Sequence, residues 1–283
     1  MPTISVSALL EAGVHFGHRV SRWNPKMAPY IYGKRNTIHI INLKETLRGL
    51  IRACHFLKRI AADNEKVLFV GTKRPAKNVV MVEAKKNAMP FVIDRWIGGT
   101  LTNYGIIRER LKRLEEVERM EADGTTGRML KKELSALMRE KRKLRRNLDG
   151  LREMTKLPAA LIVVDPRREK NAVKEARRLG IPTIAIIDTD SDPDTVDVPI
   201  PANDDAMRSI QVLAEKMTES VSEGMAFAKE RAAAEDKARG DREPRHGGGS
   251  GGGGDRRRTV VIRKAPVGPA DASGGEGTAS ATT

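Results

Sequence analysis

Three groups of residues have types and spacings that can do chemistry. The first is the segment 18–35, where Arg19, Arg22, Lys26, Lys34 and Arg35 alternate with Trp23, Tyr30 and Tyr32. Aromatic rings stack on nucleobases while Arg and Lys hold phosphates. The same pattern also suits a surface loop pinned to a protein body by its aromatics. The second group is Arg139, Lys141, Arg142, Lys143, Arg145 and Arg146, six cations within eight residues opposed only by Glu140. Such a run repels itself unless something anionic lies against it; otherwise it is a solvated helical face. The third is the acidic run Asp188-Thr189-Asp190-Ser191-Asp192-Pro193-Asp194.

Enzyme and metal chemistry fare less well. Gly71-Thr72-Lys73-Arg74 leaves an apolar run as a phosphate loop would, but the Gly-x4-Gly-Lys-Ser/Thr spacing is missing, and no Gly-x-Gly-x-x-Gly follows any apolar run. The acidic run fails as a calcium loop because Pro193 holds its sixth position and Pro199 its twelfth, where Gly and Glu are required. It reads instead as a polar turn capped by Asp side chains. His15 and His18, with an aspartate from that run, can be drawn around a divalent metal, but a histidine pair of this kind is more often structural. No resident metal and no cofactor is expected. Neither a Ser-His-Asp order nor a paired-carboxylate signature stands out. Backbone amides of the loops Thr72–Arg74 and Arg95–Asn103, each after an apolar run, can bind RNA phosphates as readily as a nucleotide.

Alternating strands and helices must position these groups. Residues 5–16 read as a helix and 18–35 as an irregular basic loop. Strands are predicted at 38–41, 66–70, 90–93, 159–164 and 182–187, with an edge strand at 196–200. Helices are predicted at 43–62, 76–87, 168–179 and 204–228. Continuous apolar strands such as Val67-Leu68-Phe69-Val70 belong in a parallel sheet buried on both faces. Between 104 and 156 the alternation stops. Leu130, Leu134, Leu137, Leu144, Leu148 and Leu151 form a heptad seam, with Lys141 where one apolar residue is missing. Ile107, Leu111, Leu114 and Val117 supply the partner, and Asp123-Gly124-Thr125-Thr126-Gly127 the turn. A helical hairpin of about 25 residues per arm would reach roughly 40 Å. The organisation expected is an α/β body over 1–103 and 157–228, a coiled-coil hairpin over 104–156, and a disordered Gly/Arg-rich tail over 229–283.

Charge agrees with a polyanionic partner. The 283 residues carry a net +15. Residues 1–103 hold 17 cations against 6 anions, whereas residues 186–225 hold 2 against 10. A basic field beside an acidic segment points to nucleic acid on one side and a basic protein on the other, with Asp192, Asp194, Asp204 and Asp205 as candidate protein contacts. The lone Cys54 excludes a disulfide framework and fits a reducing compartment. Neither a signal peptide nor a membrane-spanning run is evident, so a soluble cytoplasmic protein is expected.

Several stretches occur together in a familiar order: Ala12-Gly13-Val14-His15-Phe16-Gly17-His18, Trp23-Asn24-Pro25-Lys26-Met27, Ile38-His39-Ile40-Ile41-Asn42-Leu43, Leu68-Phe69-Val70-Gly71-Thr72-Lys73, Arg95-Trp96-Ile97-Gly98-Gly99-Thr100-Leu101-Thr102-Asn103 and the 188–194 run. Over about residues 4–226 the chain closely resembles the family of bacterial-type small-subunit ribosomal protein two. The resemblance implies a flavodoxin-like body with an inserted coiled coil and a structural role in the 30S subunit without catalysis. It also implies binding to 16S rRNA, with recruitment of the messenger-binding ribosomal protein one among neighbouring small-subunit proteins. The RNA-facing residues expected are Arg19, Arg22, Trp23, Lys26, Tyr30, Lys34, Arg35, Lys73, Arg74, Arg95 and Asn103, together with Arg139, Arg142, Lys143, Arg145 and Arg146 on the hairpin. The competing classes are a nucleotide-binding α/β enzyme and a coiled-coil adaptor; neither membrane nor small-molecule substrate is expected as a partner.

Overall fold

The computed structural model describes residues 5–124 and 129–240, with side chains up to 234. After a short helix α1 (Val6–Glu11), strands β1 (Phe16–Arg19), β2 (Ile31–Arg35) and β3 (Ile38–Ile41) pair antiparallel in the order β1-β3-β2. The segment expected as an irregular loop is therefore largely ordered, with single 3-10 turns at 20–22 and 25–30 between its strands. The hairpin turn was hidden because its two residues, Asn36 and Thr37 (φ 48° and 64°), adopt the left-handed region usually signalled by Asn-Gly. Ile38–Ile41, expected in the parallel sheet, lies at the centre of this separate one.

Helix α2 (Leu43–Ala62) starts where Asn42 caps it, its side chain accepting from the Lys44 amide at 3.1 Å. Then follow β4 (Val67–Val70), α3 (Arg74–Lys86), β5 (Phe91–Val92), α4 (Tyr104–Ala122) and α5 (Lys131–Leu148). The chain ends its described part with β6 (Ala160–Val164), α6 (Lys170–Leu179), β7 (Thr183–Ile187), β8 (Val198–Pro201) and α7 (Met207–Gly240). Strands β4 to β8 form one parallel sheet ordered β5-β4-β6-β7-β8. Its order reverses between β4 and β6, and loops at the strand C-termini meet there.

The period of two along each strand divides the core. Val67, Phe69, Ile162, Val164, Ile184 and Ile186 face one side and pack with Leu50, Leu57, Val80, Leu213 and Met217 from α2, α3 and α7. Leu68, Val70, Leu161, Val163, Ala185 and Ile187 face the other, with Ile107, Leu111, Leu148, Leu151, Val173 and Ala176. Helix α6 stops at Gly180, whose φ of 68° supplies the left-handed C-terminal turn expected of it. Helix α7 runs beyond residue 228, where the sequence pattern stops being amphipathic; Ala232, Ala233 and Ala234 are exposed. The expected disordered tail lies outside the described residues from 241 onward.

Between β5 and β6, α4 buries Ile107, Leu111, Leu114 and Val117 as its spacing predicts. In α5 only Leu137 and Leu148 of the expected seam are buried, with Leu151 in the 3-10 turn that follows; Leu144 and Leu134 are half-buried and Leu130 is 70% exposed. Charged pairs stand among the apolar contacts: Arg152 holds Glu118 at 2.8 Å, Arg113 reaches Glu140 at 3.8 Å, and Lys141 pairs with Glu121. The position that breaks the heptad is thus filled by an ion pair. At the base the Tyr104 hydroxyl donates to the Met154 carbonyl. With 19 and 18 residues, the helices are each about 28 Å long, shorter than expected. The expected turn Asp123–Gly127 lies only partly within the described residues.

Helix α2 approaches β8 so closely that a Cβ on Gly49 would lie 2.5 Å from the Pro199 carbonyl oxygen, whereas one on Gly105 meets open space. Gly49→Ala is expected to destabilise the fold by about 1–3 kcal/mol, seen as a lower urea midpoint, while Gly105→Ala leaves the midpoint unchanged or raises it.

Candidate nucleic-acid interface

The loops at the C-terminal edge of the parallel sheet carry its charge. Gly17 brings β1 against this edge, because a side chain there would collide with Thr189 and Asp188. His18 can then donate its backbone N–H to Thr189 Oγ1 at 3.0 Å and to Asp188 Oδ1 at 3.2 Å. Its imidazole Nδ1 lies 2.8 Å from Asp188 Oδ2. The hydrogen bond to Asp188 outweighs burial and raises the imidazole pKa to about 9. His15 does not join it; its ring packs on Phe16 with centroids 4.0 Å apart.

Lys73, expected on the RNA surface, turns inward. Its ammonium lies 2.6 Å from both Asp204 and Asp205 and 3.7 Å from Asp165, and the side chain is 14% exposed. Burial disfavours its charge, but these carboxylates prevail and its pKa rises. Asp204, expected as a protein contact, is itself buried for the same reason: an enclosed ammonium needs an enclosed carboxylate. Burial, reinforced by Asp188, lifts the Asp204 pKa to about 7 despite Lys73. Lys26 is likewise neutralised, by Asp194 at 2.7 Å and Asp192 at 3.0 Å. That leaves Asp194 and Asp205 as the more exposed of the four candidate acids, at 71% and 61%.

The other expected cations face outward. Arg19, Arg22, Lys34 and Arg35 are exposed on the antiparallel sheet and the turn beside it. Trp23 is 38% exposed and leans on His39, Tyr30 is half-buried, and Tyr32 is the freest ring at 80%. Arg22 and Trp23 share an open groove with Arg167 and Arg168. Beside it a cleft of about 430 Å³ is lined by Arg167, Lys170, Lys174 and Arg177, with Asp190 holding Arg167 at 2.5 Å. These cations in and before α6 were not among the residues expected on the surface; their signal was the cationic Arg167-Arg168 directly after the strand exit Asp165-Pro166.

Arg95 and Asn103 flank a loop built around one carboxylate. Glu175 of α6 accepts from the Trp96 indole at 3.0 Å, the Gly99 amide at 2.8 Å, the Leu101 amide at 3.0 Å and the Thr102 amide at 3.2 Å. The conformation of Arg95–Asn103 is thereby fixed, and Arg95 and Asn103 stay exposed. On α5, Arg139, Arg142, Lys143, Arg145 and Arg146 are exposed. Arg146 lies 4.0 Å from Asp94, and the Arg139 and Arg142 guanidiniums bond carbonyls of their own helix.

A doubly covered parallel sheet whose strand-end cations are partly internal, and whose remaining cations face outward from several elements, defines an α/β scaffold with a basic outer surface. Comparison with known proteins makes this specific. Residues 9–224 match the family described as Ribosomal protein S2. The small ribosomal subunit protein uS2 of Rhodopirellula baltica is 52% identical over 233 residues, covering 82% of this chain and 90% of that protein. The chain belongs to the ribosomal protein S2 family, and so is a structural constituent of the ribosome serving translation. Among the described residues no helix is long and apolar enough to cross a membrane.

Burial is the largest influence on Glu175 and opposes its ionisation, but the hydrogen bonds together outweigh it and lower its pKa. A lowered folded-state value gives stability that is present above the unfolded value and is lost as pH falls. Glu175→Gln, which places an amide against N–H donors, is expected to cost about 1.5–3 kcal/mol near neutrality. In thermal melts the gap from wild type should close as pH drops below the ordinary carboxylate range.

Proposed function

We propose that the chain is a structural component of the small (30S) ribosomal subunit that binds 16S rRNA, ribosome-bound in the cytoplasm, and performs no catalysis. The observation that carries this reading is the outer face of α5. There Arg139, Arg142, Lys143 and Arg145 have, among the described residues, no carboxylate within ion-pair distance. RNA phosphates are the anions that would relieve their mutual repulsion and release counterions. A second surface is formed by Arg19, Arg22, Trp23, Lys34 and Arg35, joined by Tyr32, Arg167 and Arg168; the rings can stack on unpaired bases. Arg74, Arg95 and Asn103 extend it along the strand ends. Lys73 and half-buried Tyr30 serve the framework from behind, and Lys26 is engaged at the surface by Asp192 and Asp194.

In this reading the sheet order is that of a flavodoxin-like body over 1–103 and 157–228, and residues 104–156 are a coiled-coil arm. Exposed Asp194 and Asp205 are the acids available to a basic neighbouring protein. Association with ribosomal protein one belongs to the same reading and rests on the family alone.

Binding of the full chain to 16S rRNA should fall steeply as salt rises. Arg142→Glu combined with Arg145→Glu should weaken it strongly and reduce the slope of log K against log salt by about 2, roughly 1 for each phosphate that is no longer neutralised. Asp190→Ala, which removes the partner of Arg167 and of the Ser191 hydroxyl but takes away no cation, should not reduce the slope. Filter binding across a salt series separates these outcomes; equal effects of the two changes, or binding indifferent to salt, would contradict the proposal.

A further inference from the structure

One groove holds more kinds of chemistry than phosphate neutralisation needs. It lies between the turn at 21–25 and the exits of β6 and β7, and Arg22, Trp23, Asp165, Arg167, Arg168 and Asp190 line it. Its volume of about 920 Å³ is ample for one nucleotide, ligand sites running from roughly 300 to 1,000 Å³. The walls are held in place. The Asn24 amide donates to the Thr189 carbonyl at 2.8 Å, which fixes the turn against the β7 exit. The Trp23 indole rests on His39, ring centroids 5.2 Å apart, and keeps 38% of its surface exposed. Asp165 turns the chain after β6 in the left-handed region, φ 63°, and accepts from the Arg168 amide at 3.0 Å.

The charged groups fall into two sets. Arg168 donates its Nε to Thr72 Oγ1 at 3.1 Å. Its terminal nitrogens, and the whole Arg22 guanidinium, have no partner among the described residues. Asp190 is the other set. Its side chain is 13% exposed, Oδ2 holds Arg167 at 2.5 Å, and Oδ1 receives only the Ser191 hydroxyl at 3.5 Å. An ionised carboxylate has about four lone-pair sites, so both oxygens can still accept. Against a phosphate alone this acid would be repulsive. It suits a ligand that brings N–H donors as well as negative charge.

We infer that this groove takes one unpaired guanosine of an RNA strand. Trp23 stacks on the base, Asp190 accepts from its Watson–Crick edge, and Arg22 and Arg168 hold the adjoining phosphates. Guanine alone among the four bases presents two parallel N–H donors, N1–H and the 2-amino group, to one carboxylate. Adenine and cytosine offer an amino group beside an acceptor, and uracil an N–H between two carbonyls, so each would turn an acceptor toward Asp190. Parallel hydrogen bonds to an ionised acceptor are the strong kind. Arg167, bonded to Asp190, is a positioning residue. The inference rests on the RNA-binding reading and deepens it, since a surface that neutralises phosphate gains the means to read a base.

The test uses the full chain and labelled uridine pentaribonucleotides with G, A, C or U at the centre, followed by fluorescence anisotropy. The guanine pentamer should bind at least about tenfold tighter than the other three. Inosine at the centre, which lacks the 2-amino donor, should lose at least about tenfold. Asp190→Asn should abolish the guanine preference without weakening the all-uridine pentamer, and Trp23→Ala should weaken all four by at least about fivefold, with folding checked by circular dichroism. If Asp190→Asn does not fold, the inosine pentamer decides. GMP, without neighbouring phosphates, should compete at least about tenfold more weakly than the guanine pentamer. The inference is overturned if the four pentamers bind alike, if inosine binds as guanosine does, if folded Asp190→Asn keeps the preference, if Trp23→Ala binds as wild type, or if GMP binds as tightly as the pentamer, which would mark a site for a free nucleotide. Wild-type binding to 16S rRNA that stays salt-dependent while the pentamers show no preference removes this inference alone; binding indifferent to salt removes the RNA-binding reading and this inference with it.

Discussion

Strands β4, β6 and β7 have no face turned to water: every residue of Val67–Val70, Ala160–Val164 and Thr183–Ile187 is buried. That constraint dictates the rest. Both faces must be covered, so the crossovers from β4 to β7 are made by helices, only β7 and β8 being joined through a 3-10 turn, and the uncovered polar ends gather at the strand C-termini. Charged residues cannot enter the layers and collect at that edge. Where that edge folds inward, Lys73 is enclosed by Asp165, Asp204 and Asp205. The cations left facing water stand on the outer faces of helices whose inner faces line the core, and on the antiparallel sheet beside them.

Charge alone therefore misjudges this protein. Lys26 and Lys73 look in the sequence like Arg22 and Arg95, yet Lys26 is paired at the surface with Asp192 and Asp194, and Lys73 is enclosed with Asp204 and Asp205. The acidic segment, read by itself as a protein-docking patch, spends much of its charge holding the body together. Internal pairs of this kind cost desolvation and are retained where they fix geometry; here they join segments more than a hundred residues apart.

The parallel sheet was legible because continuous apolar runs of five or so residues between amphipathic helices have few alternatives. Helix α2 runs over 43–62 as expected because Asn42 announces its start and the apolar stripe is unbroken. Of the N-terminal sheet only β3, Ile38–Ile41, was legible as a strand. Its strands are four or five residues long, interrupted by Pro25 and Pro29, and its turn uses Asn36-Thr37 without glycine. The α5 seam promises more than the helix delivers, since leucine spacing records which residues can face a partner and not how far the partner extends; Leu130 lies beyond it. Among site residues, the outward cations followed from composition, but the meeting of His18 with Asp188 and Asp204 depends on a tertiary approach permitted by Gly17 and had no local signature beyond the acidic run itself.

The loop around Glu175 has a kinetic consequence. Its backbone amides are already committed to one carboxylate, so Arg95 and Asn103 are displayed from a segment that has little conformational freedom left to lose. A ligand meeting that loop would not have to wait for it to organise, and the entropy of ordering was spent during folding. The surface of α5 differs: Arg139 and Arg142 bond carbonyls of their own helix, and Lys143 and Arg145 extend from it as exposed side chains. The chain thus displays its outward charge in two ways, from long side chains along a helix and from a loop whose shape is already set.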